Sequence, residues 1–296
     1  MVQLTELVAN ATYRPNTARG GLNIEFSGED LTASPIWQLG GFTVRFLYLP
    51  PGETIELDPA AGSVCVKVIT GSLETRSAFP GVGEVRSTRM RGGHIVSPGG
   101  ALVCLIGEID TAPAKITEMS QLEASGPGSE RLQWQTFDEK FGAVTDIFEG
   151  LDAHMIPGFH LLDGKGQEIA YVHFWTAGKG VDVSTHNHGH APSEHAPAFA
   201  ETHLVLRNGT GLGAMYECAA PDATERTRLV VGEGEEHGPF FRFDPATGAP
   251  VLRDNGAVEY PWHGWQGGTD DEPEQAFDLV TAFEISPAYA RVPSDC

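Results

Sequence analysis

Short apolar runs alternate with breaker-rich turns along most of this chain, and their period is two. FTVRFLYL runs into Pro-Pro-Gly, VCVKVIT into Gly-Ser, and GGHIVSPGG into ALVCLIGE. Runs of about four to eight residues rich in Val, Ile, Leu and Phe, bounded by Gly and Pro, are strand chemistry. The rhythm returns from about Ala170 to Ile285 in AYVHFWTAGKG, ETHLVLRNGTGLGAMYE, TRLVVGEGEEHG, GAVEYPWHGW and FDLVTAFEIS. Long amphipathic helical patterns are scarce. The pattern predicts an all-β chain in which a small antiparallel barrel is used twice.

The predicted boundaries follow from where that rhythm breaks. Residues 1–118 form the first barrel and 166–296 the second. Between them, in 119–165, SQLEASGPGSE is polar and breaker-rich, which is linker chemistry. LQWQTFDEKFGAVTDIFEGLDAHM has apolar spacing suited to one or two short helices.

Composition narrows the function classes. The 40 acidic and 19 basic residues give a formal net charge of −21. Nucleic acid and anionic membrane surfaces both require a basic footprint, so neither is an expected partner. Cys65, Cys104, Cys218 and Cys296 are scattered with no paired spacing, against a disulfide framework or a thiolate zinc site. The N-terminal stretch has no basic and apolar leader pattern, and no run reaches the roughly 20 apolar residues of a membrane span, so the expected location is cytoplasmic.

Candidate chemistry concentrates in THNHGHAPSEHAPAFAETHLVLRNGTG. Six of the 11 histidines fall between His173 and His203. His186 and His188 are two apart, so on a strand they share a face with Cβ atoms roughly 7 Å apart, within reach of one ion. Glu201 opens the next apolar run and offers a carboxylate; His203 shares its face. His263, in YPWHGW, is placed to add a ligand from a distant strand. Three imidazoles and a carboxylate suit one divalent transition metal, zinc first, with Mn, Fe or Ni as alternatives to it, rather than Ca or Mg. The first half has no comparable set: His94 stands apart, so its barrel is expected to be metal-free, a structural or dimerising partner, which allows a homodimer.

H-x-H, then a carboxylate, then V-L-x-x-G-x-G resembles the first motif of the cupin superfamily, and GAVEYPWHGW resembles the second. The resemblance implies a jelly-roll fold with His186, His188, Glu201 and His263 as metal ligands. Twelve residues separate His188 from Glu201, where the family has three or four, and Asn208 is an extra residue before the glycine. Glu194, six after His188, is therefore a rival carboxylate; Glu201 is favoured because it leads directly into the VL strand.

Other motifs carry less. GTGLG at 209–213 resembles a dinucleotide loop, but MYEC follows it as a strand where a helix is required. No nucleophile elbow is present. Metal chemistry of this kind needs a nearby base, and His203, Glu194 and His237 are the candidates. Two acids precede His237 and are expected to raise its pKa. Within the cupins, HNHGHAPSE, ETHLVLRNGTG and HGPFF…YPWHGW are most similar to the cupin module of aldos-2-ulose dehydratase/isomerase. That resemblance implies a small, carbohydrate-like hydroxy-ketone substrate, with Trp262 and Trp265 covering its ring and an isomerase or dehydratase reaction by enolisation. A non-haem Fe(II) dioxygenase and a non-catalytic, metal-assisted sugar- or small-molecule-binding protein are the alternatives.

Overall fold

In the computed structural model the TIEL strand, Thr54–Leu57, buries Ile55 and Leu57 and leaves Thr54 and Glu56 half-buried, the alternation its sequence carries. The structure describes residues 2–3, 11–16, 21–26, 30–34, 36–39, 42–76, 84–85, 87–108, 121–124, 131–133, 135–136, 153–182, 185–193, 197–211, 213–238, 241–268 and 277–292. The chain divides into two units, Met1–Gln133 with Gly158–Tyr171, and Trp134–Pro157 with Val172–Cys296.

In the first unit, Val2–Gln3, Thr54–Leu57, Gly93–Val96, Leu73–Arg76 and Glu84–Val85 form one sheet in that order. A second runs Ser87–Met90, Val64–Gly71, Ala101–Glu108, Phe42–Leu49, Trp37–Leu39, Gln121–Ala124, Arg131–Gln133. Leu47, Leu49, Val64, Val66, Val103 and Leu105 from the second meet Ile55, Leu57, Leu73 and Ile95 from the first in one core. Gly71, with φ 86°, ends its strand against the Gly100 carbonyl, whose oxygen would lie 2.1 Å from any Cβ there, so only glycine fits.

The short helices expected in LQWQTFDEKFGAVTDIFEGLDAHM are not found among the described residues. Gln135–Thr136 and Ala153–Leu162 are strands, paired antiparallel through Gln135↔Met155, and residues 137–152 lie outside the described set. The apolar spacing falls mainly on 137–152, outside the described residues, and the flanks that are described are strands. The described residues are otherwise strands, turns and one short 3-10 turn at Pro59–Ala61. Among them no helix is long and apolar enough to cross a membrane. Cys65, Cys104 and Cys218 carry thiols, not disulfides.

In the second unit, the part of Glu168–Gly178 from Val172 onward lies beside Phe277–Ile285, followed by Ala200–Asn208 and Glu236–His237. A smaller sheet runs Thr227–Val230, Ala214–Cys218, Trp262–Gln266, and single bridges at Asp182↔Gln266 and His186↔His263 extend it. Trp175, Ala177, Val205, Val280 and Ala282 of one sheet pack on Met215 and Trp265 of the other. The two tryptophans meet edge to face at 5.3 Å.

Asp278 ties this core together. Its buried carboxylate accepts from the Thr210 amide at 3.0 Å, the Thr210 hydroxyl at 2.8 Å and the Trp265 indole at 3.0 Å. The Thr210 hydroxyl in turn accepts from the Gly268 amide at 2.8 Å. The GTGLG run thus closes a strand–turn–strand connection onto a carboxylate. Asn208, the extra residue of the motif, braces the same turn, its side chain bonding Gly213 and Val231.

Burial raises the Asp278 pKa against the pull of these bonds. Its ionisation therefore opposes folding, and the contribution of the protonated form is lost as pH rises through the folded pKa. Asp278→Ala strands three buried donors and should cost on the order of 3–5 kcal/mol in urea unfolding. Asp278→Asn keeps one acceptor and should cost less, while losing the pH-dependent component. Equal losses in the two variants would contradict the network.

Candidate metal centre

His186 lies outside any regular strand yet is held in register with His263. The His186 amide donates to the His263 carbonyl at 2.8 Å, and the His263 amide donates back to the His186 carbonyl at 2.9 Å. Residues paired this way send their side chains to one face. His188, two residues on, joins them. Ring centroids lie 4.5 Å apart for His186–His263, 5.0 Å for His188–His263 and 5.2 Å for His186–His188. One ligand nitrogen from each falls within 4.8 Å of the others.

The tautomer of His263 is set by its own turn. Nδ1 donates to the Pro261 carbonyl at 3.1 Å, so Nε2 carries the lone pair, and it points at His188 Nε2 3.2 Å away. Two nitrogens each about 2.1 Å from one ion are roughly 3.0–3.4 Å apart at octahedral or tetrahedral angles. The observed separation falls in that range. Burial, with the charges of His186 and His188, holds the His263 pKa well below the usual imidazole range, so the ring is a neutral ligand. The donor set fits a transition metal.

Glu201 is the charge at the centre of the site. It sits buried on Ala200–Asn208, with Oε2 2.6 Å from His188 Nε2 and Oε1 3.0 Å from His203 Nε2. Burial pushes its pKa up, but the charges of His188 and His203 and their hydrogen bonds outweigh burial and hold it well below the carboxylate range. The same contact works in reverse on His188: burial lowers its pKa, while the Glu201 charge and hydrogen bond and the Glu284 charge carry it above the ordinary value. Tyr260 fixes the strand end, its hydroxyl accepting from the Glu201 amide at 2.6 Å and donating to the Phe199 carbonyl at 2.5 Å.

His203 and His237 are register partners with rings stacked at 6.0 Å and 25°. The acids before His237 were expected to raise its pKa. Glu236 does push upward, but burial dominates, His203 adds to it, and the pKa falls to about 3. His237 is therefore a neutral imidazole.

Trp262 and Trp265 do not form a shared platform. Trp265 is 2% exposed and bonded to Asp278 beneath the site. Trp262 neighbours His263 on one strand and so points to the opposite face. A ring cannot lie on both. Glu194 and His195 lie outside the described residues, and His190 is exposed.

Sequence reading missed three groups. Tyr260 serves through its hydroxyl. Glu284 pairs in register with Glu201 and lies 3.2 Å from His173 Nε2, which puts a second carboxylate–imidazole pair on the same sheet face. Glu217 is the register partner of His263, and burial raises its pKa. Period-two parity marks Glu217 and Glu284 as inward, but which strands adjoin is not written locally, and Tyr260 lies on no strand.

Comparison with known proteins adds the family. Residues 25–286 match the family described as aldos-2-ulose dehydratase/isomerase cupin domain. Aldos-2-ulose dehydratase of Phanerodontia chrysosporium is 40% identical over 149 residues, which are 47% of this chain and 16% of that protein. The alignment thus spans about a sixth of its length. Among solved structures, an IolB-like protein of Salmonella typhimurium is 11% identical over 90% of this chain and 92% of its own, with a TM-score of 0.31. A cupin 2 conserved barrel domain protein of Leptotrichia buccalis is 12% identical over 88% and 92%, with a TM-score of 0.27. With the family match taking in most of its residues, and the histidines and carboxylate of both motifs inside that span, this chain belongs to the aldos-2-ulose dehydratase/isomerase cupin domain family.

Proposed function

We propose that this protein is a metal-dependent cupin acting on a sugar-like hydroxy-ketone by enolisation, as an isomerase or dehydratase. The observation that carries the reading is Glu201, buried between His188 of the three-histidine cluster and His203. A relative named for dehydration of an aldosulose supports the substrate class. In this reading each half of the chain is one cupin barrel, and the ion sits in the second.

His186, His188, His263 and Glu201 would hold one divalent transition metal, zinc being the first candidate. Such an ion supplies Lewis-acid polarisation of a carbonyl or hydroxyl oxygen. The protein's own groups do the rest. Glu201 fixes His203 with Nε2 as the protonated atom, which leaves Nδ1 as the basic one. His203 takes the proton from the carbon next to the carbonyl; the C–H electrons form the new C=C bond while the carbonyl pair moves onto its oxygen, giving an enediolate. His203 then returns the proton to the former carbonyl carbon, the neighbouring hydroxyl's proton passing to the first oxygen as the carbonyl re-forms one position along, or gives it to a hydroxyl on the next carbon, which leaves as water with its bonding pair. His237, neutral and stacked on His203, keeps that ring in place. The buried tryptophan floor under the site keeps water from the back of the cluster.

Elemental analysis of protein purified without a nickel column should give close to one transition-metal ion per chain. Occupancy should fall as pH is lowered, because protons compete for imidazole nitrogens. Glu201→Gln should lose most of the metal, since an amide supplies no anionic oxygen. Two ions per chain, or full occupancy in Glu201→Gln, would remove the assignment.

The chemistry is tested separately. His203→Gln should keep the metal and lose turnover of a ketose by about 100-fold or more. Deuterium from solvent should enter the carbon next to the carbonyl, and the wild-type reaction should run unchanged without oxygen. Oxygen-dependent turnover would select a non-haem iron dioxygenase instead, and metal and sugar binding without conversion would select a binding protein.

A further inference from the structure

The strand Ala214–Cys218 presents its odd-numbered positions inward. A Cβ at Gly213 would meet the Asp278 carboxylate and the Trp265 ring, and Met215 packs in the core with Trp265. Glu217 is the next position of that series, so its side chain shares a face with His263, its cross-strand partner. Such partners have Cβ atoms about 4.5–5.5 Å apart. Unlike Met215, Glu217 is only half-buried. Its carboxyl makes no hydrogen bond or ion pair among the described residues.

It opens instead onto a cleft of about 760 Å³, whose walls include Cys218, Thr224, Glu225, Arg226 and Pro261. Volumes of about 300–1,000 Å³ are those of small-ligand sites. Pro261 carries the carbonyl that orients His263, so the cleft begins two residues from a proposed metal ligand. Its lining mixes carboxylates, a hydroxyl and a guanidinium. Hydroxyl groups of a ligand both donate and accept, and such a lining satisfies both functions. Two carboxylates face one guanidinium, and Arg226 already leans toward Asp182 at 3.9 Å. That balance opposes a phosphorylated or carboxylated ligand.

On the footing of the hydroxy-ketone reading above, we propose that this cleft seats the uncharged polyhydroxyl end of the substrate, with Glu217 accepting hydrogen bonds from its vicinal hydroxyls. Glu217 is then a specificity residue. It fixes which end of a sugar faces the histidines, and it separates a six-carbon ketose from a short hydroxy-ketone that lacks the polyol end.

The test compares fructose, a six-carbon ketose, with dihydroxyacetone on the metal-loaded full chain. In Glu217→Ala, the ratio of kcat/KM for fructose over dihydroxyacetone should fall about 10-fold or more, the weight of a hydrogen bond to a charged group. Thr224→Trp, which adds bulk at another lining position of the cleft, should lower the same ratio. Metal content should hold in both variants. A ratio that stays level in both variants overturns the proposal and leaves the enolisation reading intact. Binding is read independently by saturation-transfer NMR. If the wild type binds fructose without converting it, the enolisation reading fails, and the Kd of Glu217→Ala decides: about 10-fold weaker supports the cleft and unchanged overturns it. A wild type that binds neither probe overturns both.

Discussion

A carboxylate buried between two imidazoles is the constraint around which the second unit is arranged. Removing Glu201 from water costs several kcal/mol unless cations or donors surround it. His188 and His203 meet that need from two sides, one in the three-histidine cluster and one on its own strand. The surrounding scaffold reads as support for that arrangement. Tyr260 holds the Glu201 amide, Thr202 bonds the Glu236 carboxylate and the His237 carbonyl, and the His186–His263 bridge brings the cluster to the carboxylate. Glu284, opposite Glu201 in the ladder, adds like charge in a place where it is unfavourable unless positive charge is near. His173 lies against it.

The unit is layered along its axis. Polar groups occupy one level of the inner face, and the two edge-to-face tryptophans with Val205, Val280 and Met215 fill the level below. The Asp278 network joins the lower level to the turn after the carboxylate strand. Charge at one level and dry packing at the next are compatible because successive inward positions along a strand are about 7 Å apart. Glu201 and His203 take two such steps, and Val205 takes the third into the core.

Much of this was legible in the chain because strands write their faces with period two. His186 and His188 announce a shared face, and the Glu201–His203–Val205 series announces another. The all-β reading followed from the same rule together with Gly and Pro punctuation. The departures came from pairing and burial, which are not local. The flanks of the linker segment are strands because neighbouring chain supplies ladder partners, while its middle lies outside the described residues. His237 follows two acids, but a side chain 4% exposed responds first to the lost water and only then to its neighbours. Trp265 looked like a ligand platform beside His263, and parity does place it on that face; depth, which parity does not encode, puts it in the core. Glu217 and Glu284 become visible only once the register with His263 and Glu201 is known.

The bridge between His186 and His263 has a last consequence. Two of the three clustered histidines enter on a segment joined to the sheet at that point by a single residue pair, not by a full ladder. The free energy of ordering this segment is therefore part of any ion's affinity. Beyond it Ala191–Ser193 is exposed, and Gly189 is held by Asn255, whose side-chain amide donates to its carbonyl at 3.1 Å. Affinity for an ion at this site would then depend on how well the chain orders as well as on which atoms donate, so the same donor set could hold a metal tightly or loosely.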